Sequence, residues 1–146
     1  PYLKFMDLMA PYAALGQAIG RIGCFLNGCC YGAATHSGLA VIFPGETVQR
    51  IPVQLYYTAA LIIVYLVLSR IKRKKPFDGF IMCVYLMAFA LIGFFMEFLR
   101  GDNPRLLGGL TLSQIIFIFL FKAGFLLTVI LGVRDRFLKI TGKSKL

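Results

Sequence analysis

The sequence predicts an all-α integral membrane protein, a bundle of about four transmembrane helices within a larger helical membrane protein. Three observations carry that prediction. Apolar residues make up 59% of 146 positions and the mean hydropathy is +0.79, more than a soluble domain of this length can bury. The apolar residues gather into four runs, each near the twenty or so needed to cross a bilayer. The formal charge of +10 lies mostly between those runs, which sets nucleic acid aside as a partner. The chain opens on Pro1 without a methionine or a signal-peptide pattern, which predicts a segment of something longer.

The first predicted span covers about 5–27 and ends in a polar motif. The second, about 53–68, is short, and the Pro52 turn helps to complete it. The third, about 79–99, carries Glu97 and Arg100 at its far end. The fourth, about 110–133, has Lys122 near its middle. A basic loop at 70–75 and a basic tail at 134–146 follow the second and fourth spans, and 1–146 is read as one transmembrane region.

Orientation follows from lysine and arginine. Eleven lie on one side: Lys4, Arg70, Lys72, Arg73, Lys74, Lys75, Arg134, Arg136, Lys139, Lys143 and Lys145. Four lie on the other, Arg21, Arg50, Arg100 and Arg105. The first side is predicted to be cytoplasmic. The outer side then holds the 29–52 and 100–109 loops together with the polar motif. The outer arginines have no topological reason to be there. Arg21 and Arg100 come off span ends at headgroup depth, where a charge is costly unless paired or used.

The motif around Arg21 is Gly20-Arg21-Ile22-Gly23-Cys24-Phe25-Leu26-Asn27-Gly28-Cys29-Cys30-Tyr31-Gly32. Helical spacing puts Gln17, Arg21, Cys24 and Gly28 on one face. Gly16, Gly20, Gly23 and Asn27 form a neighbouring stripe that lets another backbone approach. A fixed guanidinium beside exposed backbone N–H groups suits a phosphate. A snorkelling arginine at the water interface is the plainer alternative.

Glu97-Phe98-Leu99-Arg100 is a second constellation, in which Gly93, Glu97 and Arg100 share a helical face. It is either a local ion pair or a carboxylate that orients Arg100 toward a phosphate. In Arg50-Ile51-Pro52-Val53-Gln54-Leu55-Tyr56-Tyr57, Pro52 opens a helix, with Gln54, Tyr57 and Thr58 as a polar stripe at its outer end. Tyr57 is read as an interfacial belt residue and Gln54 as a donor to a lipid headgroup.

Cys24, Cys29 and Cys30 allow three readings: a disulfide such as Cys24–Cys29, a metal site, or small packing residues at a helix end. The C-x4-C-C spacing and a single histidine, His36, argue against the metal. His36 reads as a loop surface residue and Cys83 as packing. Lys122 either snorkels or faces a polar interior. Asp7, three residues from Lys4, reads as half of an interfacial ion pair.

These residues carry a family resemblance. Gly20-Arg21-Ile22-Gly23-Cys24-Phe25-Leu26-Asn27-Gly28-Cys29 resembles the Gly-Arg-Ile-Gly-Asn-Phe-Ile-Asn-Gly-Glu signature of the prolipoprotein diacylglyceryl transferase family. Asp7, Ala10-Pro11 and Leu15-Gly16 fit the approach to that signature. Pro52-Val53-Gln54-Leu55-Tyr56 is similar to its His-Pro-x-Gln-Leu-Tyr-Glu segment. Glu97-Phe98-Leu99-Arg100 is similar to Glu-Phe-Phe-Arg, and Gly109-Leu110-Thr111-Leu112-Ser113-Gln114 to Gly-Leu-Thr-x-x-Gln. The chain departs from the pattern at Cys24 (Asn), Cys29 (Glu), Ile51 (His) and Tyr57 (Glu). The resemblance covers the C-terminal part of the family, with a His-Gly-Gly segment upstream.

The resemblance implies a multi-pass enzyme of the bacterial cytoplasmic (inner) membrane with its site on the outer face. Its reaction moves the diacylglyceryl group of phosphatidylglycerol to the lipobox cysteine thiol of a preprolipoprotein signal peptide, releasing glycerol phosphate. No cofactor and no metal is implied. Carried over residue by residue, Arg21 holds the phosphate, Arg100 stabilises it as it leaves, and Glu97 positions Arg100. Asn27, Gln54 and Tyr56 contact the headgroup or acceptor peptide, while Gly28 and Gly32 let the chain pass close to the lipid. Two other classes compete: a non-catalytic binder of anionic phospholipid using the same arginines, and a small channel or transporter subunit. The channel expects a polar face along a whole span, whereas here the polar groups crowd at one end.

Overall fold

The computed structural model describes residues 2–100 and 109–141. Asp102 and Arg105 of the predicted outer loop, and Lys143 and Lys145 of the tail, lie outside the described residues. Among the described residues four α-helices follow one another: α1 (Tyr2–Leu26), α2 (Val53–Ile71), α3 (Phe80–Glu97) and α4 (Leu112–Ile140), with a 3-10 turn at Lys72–Lys74 continuing α2. Among the described residues there is no strand; isolated bridges join Arg50 to Ala34 and Val41 in the α1–α2 connection.

Three of the helices are long and apolar enough to cross a membrane: Val53–Lys74, Phe80–Glu97 and Leu112–Ile140. The sequence predicts four spans. At 25 residues, α1 reaches about 38 Å, so length is not what sets it apart. Lys4, Asp7, Gln17 and Arg21 dilute its apolar run. Two of the expected boundaries also move. The basic residues of 70–75 do not form an open loop, because the helix runs through Arg70 and tightens into the 3-10 turn. Likewise Arg134–Ile140 is helix rather than tail. Cations near a helix C-terminus favour the macrodipole, and nothing in the sequence stops α4 earlier.

The antiparallel pairs α1–α2 and α3–α4 form two hairpins, and α3 joins them by packing on both α1 and α2. The α1 side of the joint is made of small residues: Ala10, Pro11, Ala14 and Ala18 are buried. Such residues let helix backbones approach without bulk between them. Leu68, Ile81 and Tyr85 fill the space against Ala10 and Ala14, while Val53, Tyr57 and Leu61 do so against Ala18. The predicted glycine stripe does not serve this purpose. Among the described residues, a side chain at Gly16, Gly20 or Gly23 would meet nothing within 4 Å. Close approach occurs at Gly93 instead, where the Phe117 ring fills the glycine notch between α3 and α4. α4 buries only Gln114 and Gly124 along its length, and Lys122 lies on its exposed side.

The antiparallel order puts the start of α1, the α2–α3 connection and the end of α4 at one end of the bundle. Asp7 organises that basic end. Its buried carboxylate accepts from Lys75 Nζ at 2.8 Å, Gly79 N at 2.8 Å and Met82 N at 3.1 Å. Two otherwise orphaned N–H groups of the α3 N-terminus are thereby capped from another helix. This corrects the expected Lys4–Asp7 pair. Lys4 approaches Asp78 at 3.9 Å, because Asp7 faces the core and Lys4 faces out. Burial pulls the Lys75 ammonium down, but Asp7 and Asp78 outweigh it and hold it above its usual range. Lys75 in turn holds the Asp78 carboxyl low.

Candidate functional site

The opposite end gathers the end of α1, the 27–52 connection, the start of α2, the end of α3 and the start of α4. Helix α1 stops there for a local reason. Gly28 has φ of 69°, a left-handed conformation that favours glycine. Gly28 N donates to Phe25 O at 3.1 Å and Cys29 N to Cys24 O at 3.1 Å, the paired bonds of a Schellman termination. Gly28 therefore leaves the helical face predicted for it beside Gln17, Arg21 and Cys24. A side chain on it would meet Pro44 at 3.2 Å.

Arg21, in the last turns of α1, sits with its guanidinium carbon 4.2 Å from the centroid of the Tyr57 ring on α2. Tyr57 is 5% exposed. It is a platform under the arginine, not the interfacial belt residue that the sequence suggested. Arg21, Glu97 and Arg100 all lie within electrostatic reach of its phenol. The polar stripe of α2 is likewise buried rather than facing the interface. Thr58 Oγ1 donates within its own helix to Gln54 O at 2.9 Å and lies 3.3 Å from Ala18 O of α1. Gln54 Nε2 donates to Cys29 O at 2.6 Å and so pins the turn after α1 to α2. The amide oxygens of Gln17 and Gln54 are buried with no donor among the described residues. Tyr56 is half-buried and Asn27 exposed.

From the other hairpin, α3 ends at Glu97, so Arg100 does not share a helical face with Glu97 and Gly93 as expected. Arg100 is half-buried just past the helix, with its N–H donating to Glu97 O at 3.2 Å. The Glu97 carboxylate is buried and accepts from Thr111 Oγ1 at 3.0 Å. Thr111 also caps α4. Its Oγ1 accepts from Gln114 N at 3.2 Å, while its own N–H donates to Gln114 Oε1 at 3.0 Å. This capping box ties the start of α4 to the end of α3. Thr-x-x-Gln before an apolar run was a usable sequence signal for it. Its link to Glu97 was not, since the two lie fourteen residues apart.

The 27–52 connection folds over this end. Gly32 N donates to Ile51 O at 2.8 Å, Ala33 N to Leu99 O at 2.9 Å and Ile51 N to Ala33 O at 3.1 Å. A Cβ on Gly32 would lie 2.6 Å from Leu99 O and 2.6 Å from Val53 Cγ2. The space beside Gly32 is thus filled by protein, so a glycine is what lets the loop pack directly on Leu99 and Val53. Arg50, one of the unexplained outer arginines, is held within the loop. Its Nε donates to Glu46 at 2.8 Å and its guanidinium covers the Tyr31 ring at 4.7 Å, while Tyr31 OH donates to Glu46 at 2.6 Å. The Tyr31 and Arg50 hydrogen bonds hold the Glu46 carboxyl below the usual range. His36 is exposed in this loop.

The same turn collects three thiols. Cys24, Cys29 and Cys30 offer Sγ atoms that all lie within 4.8 Å of one another, and no disulfide joins them. Hydrogen bonds from Asn27 and Cys30 draw the Cys29 thiol down, while burial pushes Cys30 up. Arg100 lies within electrostatic reach of Cys30.

Comparison with known proteins agrees with the resemblance. The model of the family described as prolipoprotein diacylglyceryl transferase matches residues 1–130. The chain belongs to that family. Phosphatidylglycerol–prolipoprotein diacylglyceryl transferase 2 of Clostridium perfringens is 38% identical over 97% of this chain and 57% of its own length. Relatives named phosphatidylglycerol–prolipoprotein diacylglyceryl transferase from Finegoldia magna and Clostridium tetani are 36% and 34% identical, over 88% and 94% of this chain. The chain spans about half the length of these curated relatives, 51% and 55% for the last two. Within this chain, the three motif segments that run far apart in sequence meet at one end of the bundle. Arg21 comes from the first, Gln54 and Tyr57 from the second, Glu97 and Arg100 from the third.

Proposed function

We propose that this chain carries the phosphate-binding half of a phosphatidylglycerol–prolipoprotein diacylglyceryl transferase. The observation that carries the reading is Arg21 stacked on the buried Tyr57 ring, with Glu97 and Arg100 in electrostatic reach of the same phenol. A guanidinium held on an aromatic face loses little freedom when it grips a phosphate, and its fork matches phosphate oxygens. Family membership supplies the reaction class, since the relatives' names give phosphatidylglycerol and prolipoprotein.

In the proposed reaction the lipobox cysteine thiol gives up its proton to a base, which the resemblance implies is carried upstream. The thiolate attacks the glyceryl carbon that bears the phosphate ester. A C–S bond forms as the C–O bond breaks, and the bonding electrons leave on the oxygen of glycerol phosphate. Arg21 binds the phosphate, and Arg100 stabilises the charge that develops on the leaving oxygen. Glu97, fixed by Thr111, positions Arg100. Gln54 and Gln17 present buried amide oxygens that suit the hydroxyls of a glycerol headgroup, because an unpaired buried acceptor is costly. Asn27 and Tyr56 border the approach for headgroup or acceptor peptide. The charge asymmetry of the connections supports a cytoplasmic basic end in a bacterial inner membrane, with the arginine site on the outer face.

The test uses the full-length protein with phosphatidylglycerol and a lipobox peptide, scored by mass spectrometry for a diacylglyceryl adduct on the peptide cysteine. Wild type should form the adduct, and Arg21→Ala and Arg100→Ala should lose most of it. No adduct, under conditions where a Clostridium perfringens relative makes one, leaves the phospholipid-binding reading in place of the enzyme. Full activity in both variants removes the arginines from the site.

A further inference from the structure

We propose that Cys24, Cys29 and Cys30 form a binding site for one thiophilic metal ion of the Zn2+, Cd2+ or Cu+ type. The C-x4-C-C spacing argues against a metal when read as sequence. The fold removes that objection. In a Schellman termination the residue after the left-handed glycine returns over the helix's last turn. Cys29 occupies that position and lies on Cys24, with its N–H bonded to Cys24 O at 3.1 Å and its Sγ 3.6 Å from the same oxygen. Cys30 then adopts φ of 61°, a conformation that costs a non-glycine residue energy, and it brings the third sulfur to the same point. From α2, Gln54 holds the Cys29 carbonyl at 2.6 Å. The turn is thus fixed by its own helix and by a neighbouring one, independently of any metal.

The three Sγ atoms lie within 4.8 Å of one another. Tetrahedral zinc with Zn–S bonds of about 2.3 Å sets its sulfurs roughly 3.8 Å apart, so a small rotation of the side chains closes the set. Thiolates select Zn2+, Cd2+ and Cu+ over hard cations. All three residues are part-exposed, so an ion has access. Three protein ligands leave a fourth position for water or another external donor. The site does not depend on the transferase reading, because only the thiols and the turn enter the argument.

The test titrates the reduced full-length protein, in detergent and without oxygen, with Co2+ and separately with Cd2+. One equivalent of Co2+ should give sulfur-to-cobalt charge-transfer absorption and tetrahedral visible bands, and Zn2+ should bleach both. Cd2+ should protect three thiols per chain from alkylation, counted by peptide mass spectrometry as Cys24, Cys29 and Cys30. Cys24→Ser, Cys29→Ser and Cys30→Ser should each weaken binding by more than about tenfold, whereas Cys83→Ser should leave it unchanged. Each variant is compared with wild type by helical circular dichroism, so lost binding is read only from folded protein. Absence of the charge-transfer band at one equivalent overturns the proposal. So does binding that survives the triple serine variant, or a Cys24–Cys29 disulfide in protein isolated without oxidant.

Discussion

The Arg21 guanidinium lies 4.2 Å above the ring of Tyr57, so the arginine of the family signature rests on a residue of the next helix. The contact fixes the charge from below, which suits the proposed phosphate grip. Tyr57→Leu removes the aromatic face, worth about 0.5–2 kcal/mol, and should slow diacylglyceryl transfer about 3- to 30-fold. Tyr57→Phe keeps the face and should stay within about threefold of wild type, while Arg21→Ala should cost about a hundredfold. Initial transfer rates with a lipobox peptide check this. A Phe variant as slow as the Leu variant would assign the effect to the hydroxyl instead.

Thr111 joins two jobs, capping α4 and donating to Glu97. Thr111→Val keeps the shape but loses both bonds, at a cost of about 1–3 kcal/mol. Thr111→Ser should restore most of it. Denaturant midpoints in detergent measure the stability. Transfer rates in the same variants show whether loosening Glu97 reaches the site.

At the basic end, Asp7→Ala removes the acceptor for Lys75 and for two N–H groups of α3. Breaking such a buried pair from one side costs about 3–5 kcal/mol. Lys4→Ala, by contrast, touches an exposed pair at 3.9 Å and should change stability by less than about 0.5 kcal/mol. Equal losses in the two variants would contradict the assignment of Asp7 as the cap.

The Glu46 carboxyl is held low by Tyr31 and Arg50, so the folded loop binds the proton less readily than the unfolded chain. Its contribution is complete above the ordinary glutamate range and is lost as the pH falls through the lower folded value. Amide exchange at Val41 and Arg50, which pair across the loop at 2.9–3.0 Å, should therefore gain an acid-driven acceleration beyond intrinsic chemistry. Glu46→Gln should flatten that dependence, and an unchanged profile would remove Glu46 as its source.

Much of the bundle was legible in the sequence because apolar run length and a helix-opening proline are local. Pro52 ahead of α2 marked its start, and the structure begins α2 at Val53; α4 begins at Leu112, close to the predicted 110. Helix ends were less legible. Gly28 was read on a helical face although its left-handed conformation ends α1, and the apolar pattern alone did not end α3 at Glu97 or carry α4 through Arg134. The glycines misled for a related reason. A small residue permits close approach, but a partner must be on that side, and among the described residues none lies within 4 Å of a side chain placed at Gly16, Gly20 or Gly23.

The sequence by itself determined the class of the chain, its apolar helices, its charge asymmetry, its family and the separate motif segments that hold Arg21, Gln54, Glu97 and Arg100. Those follow from composition and from residues close together in the chain. Only the tertiary structure decided which residues meet. It put Tyr57 under Arg21, Thr111 on Glu97, Asp7 on α3 rather than beside Lys4, and three irregularly spaced thiols within 4.8 Å. Antiparallel packing brings distant helix ends together, and a left-handed glycine reverses the chain over its own helix. Neither effect has a period that can be read along the sequence.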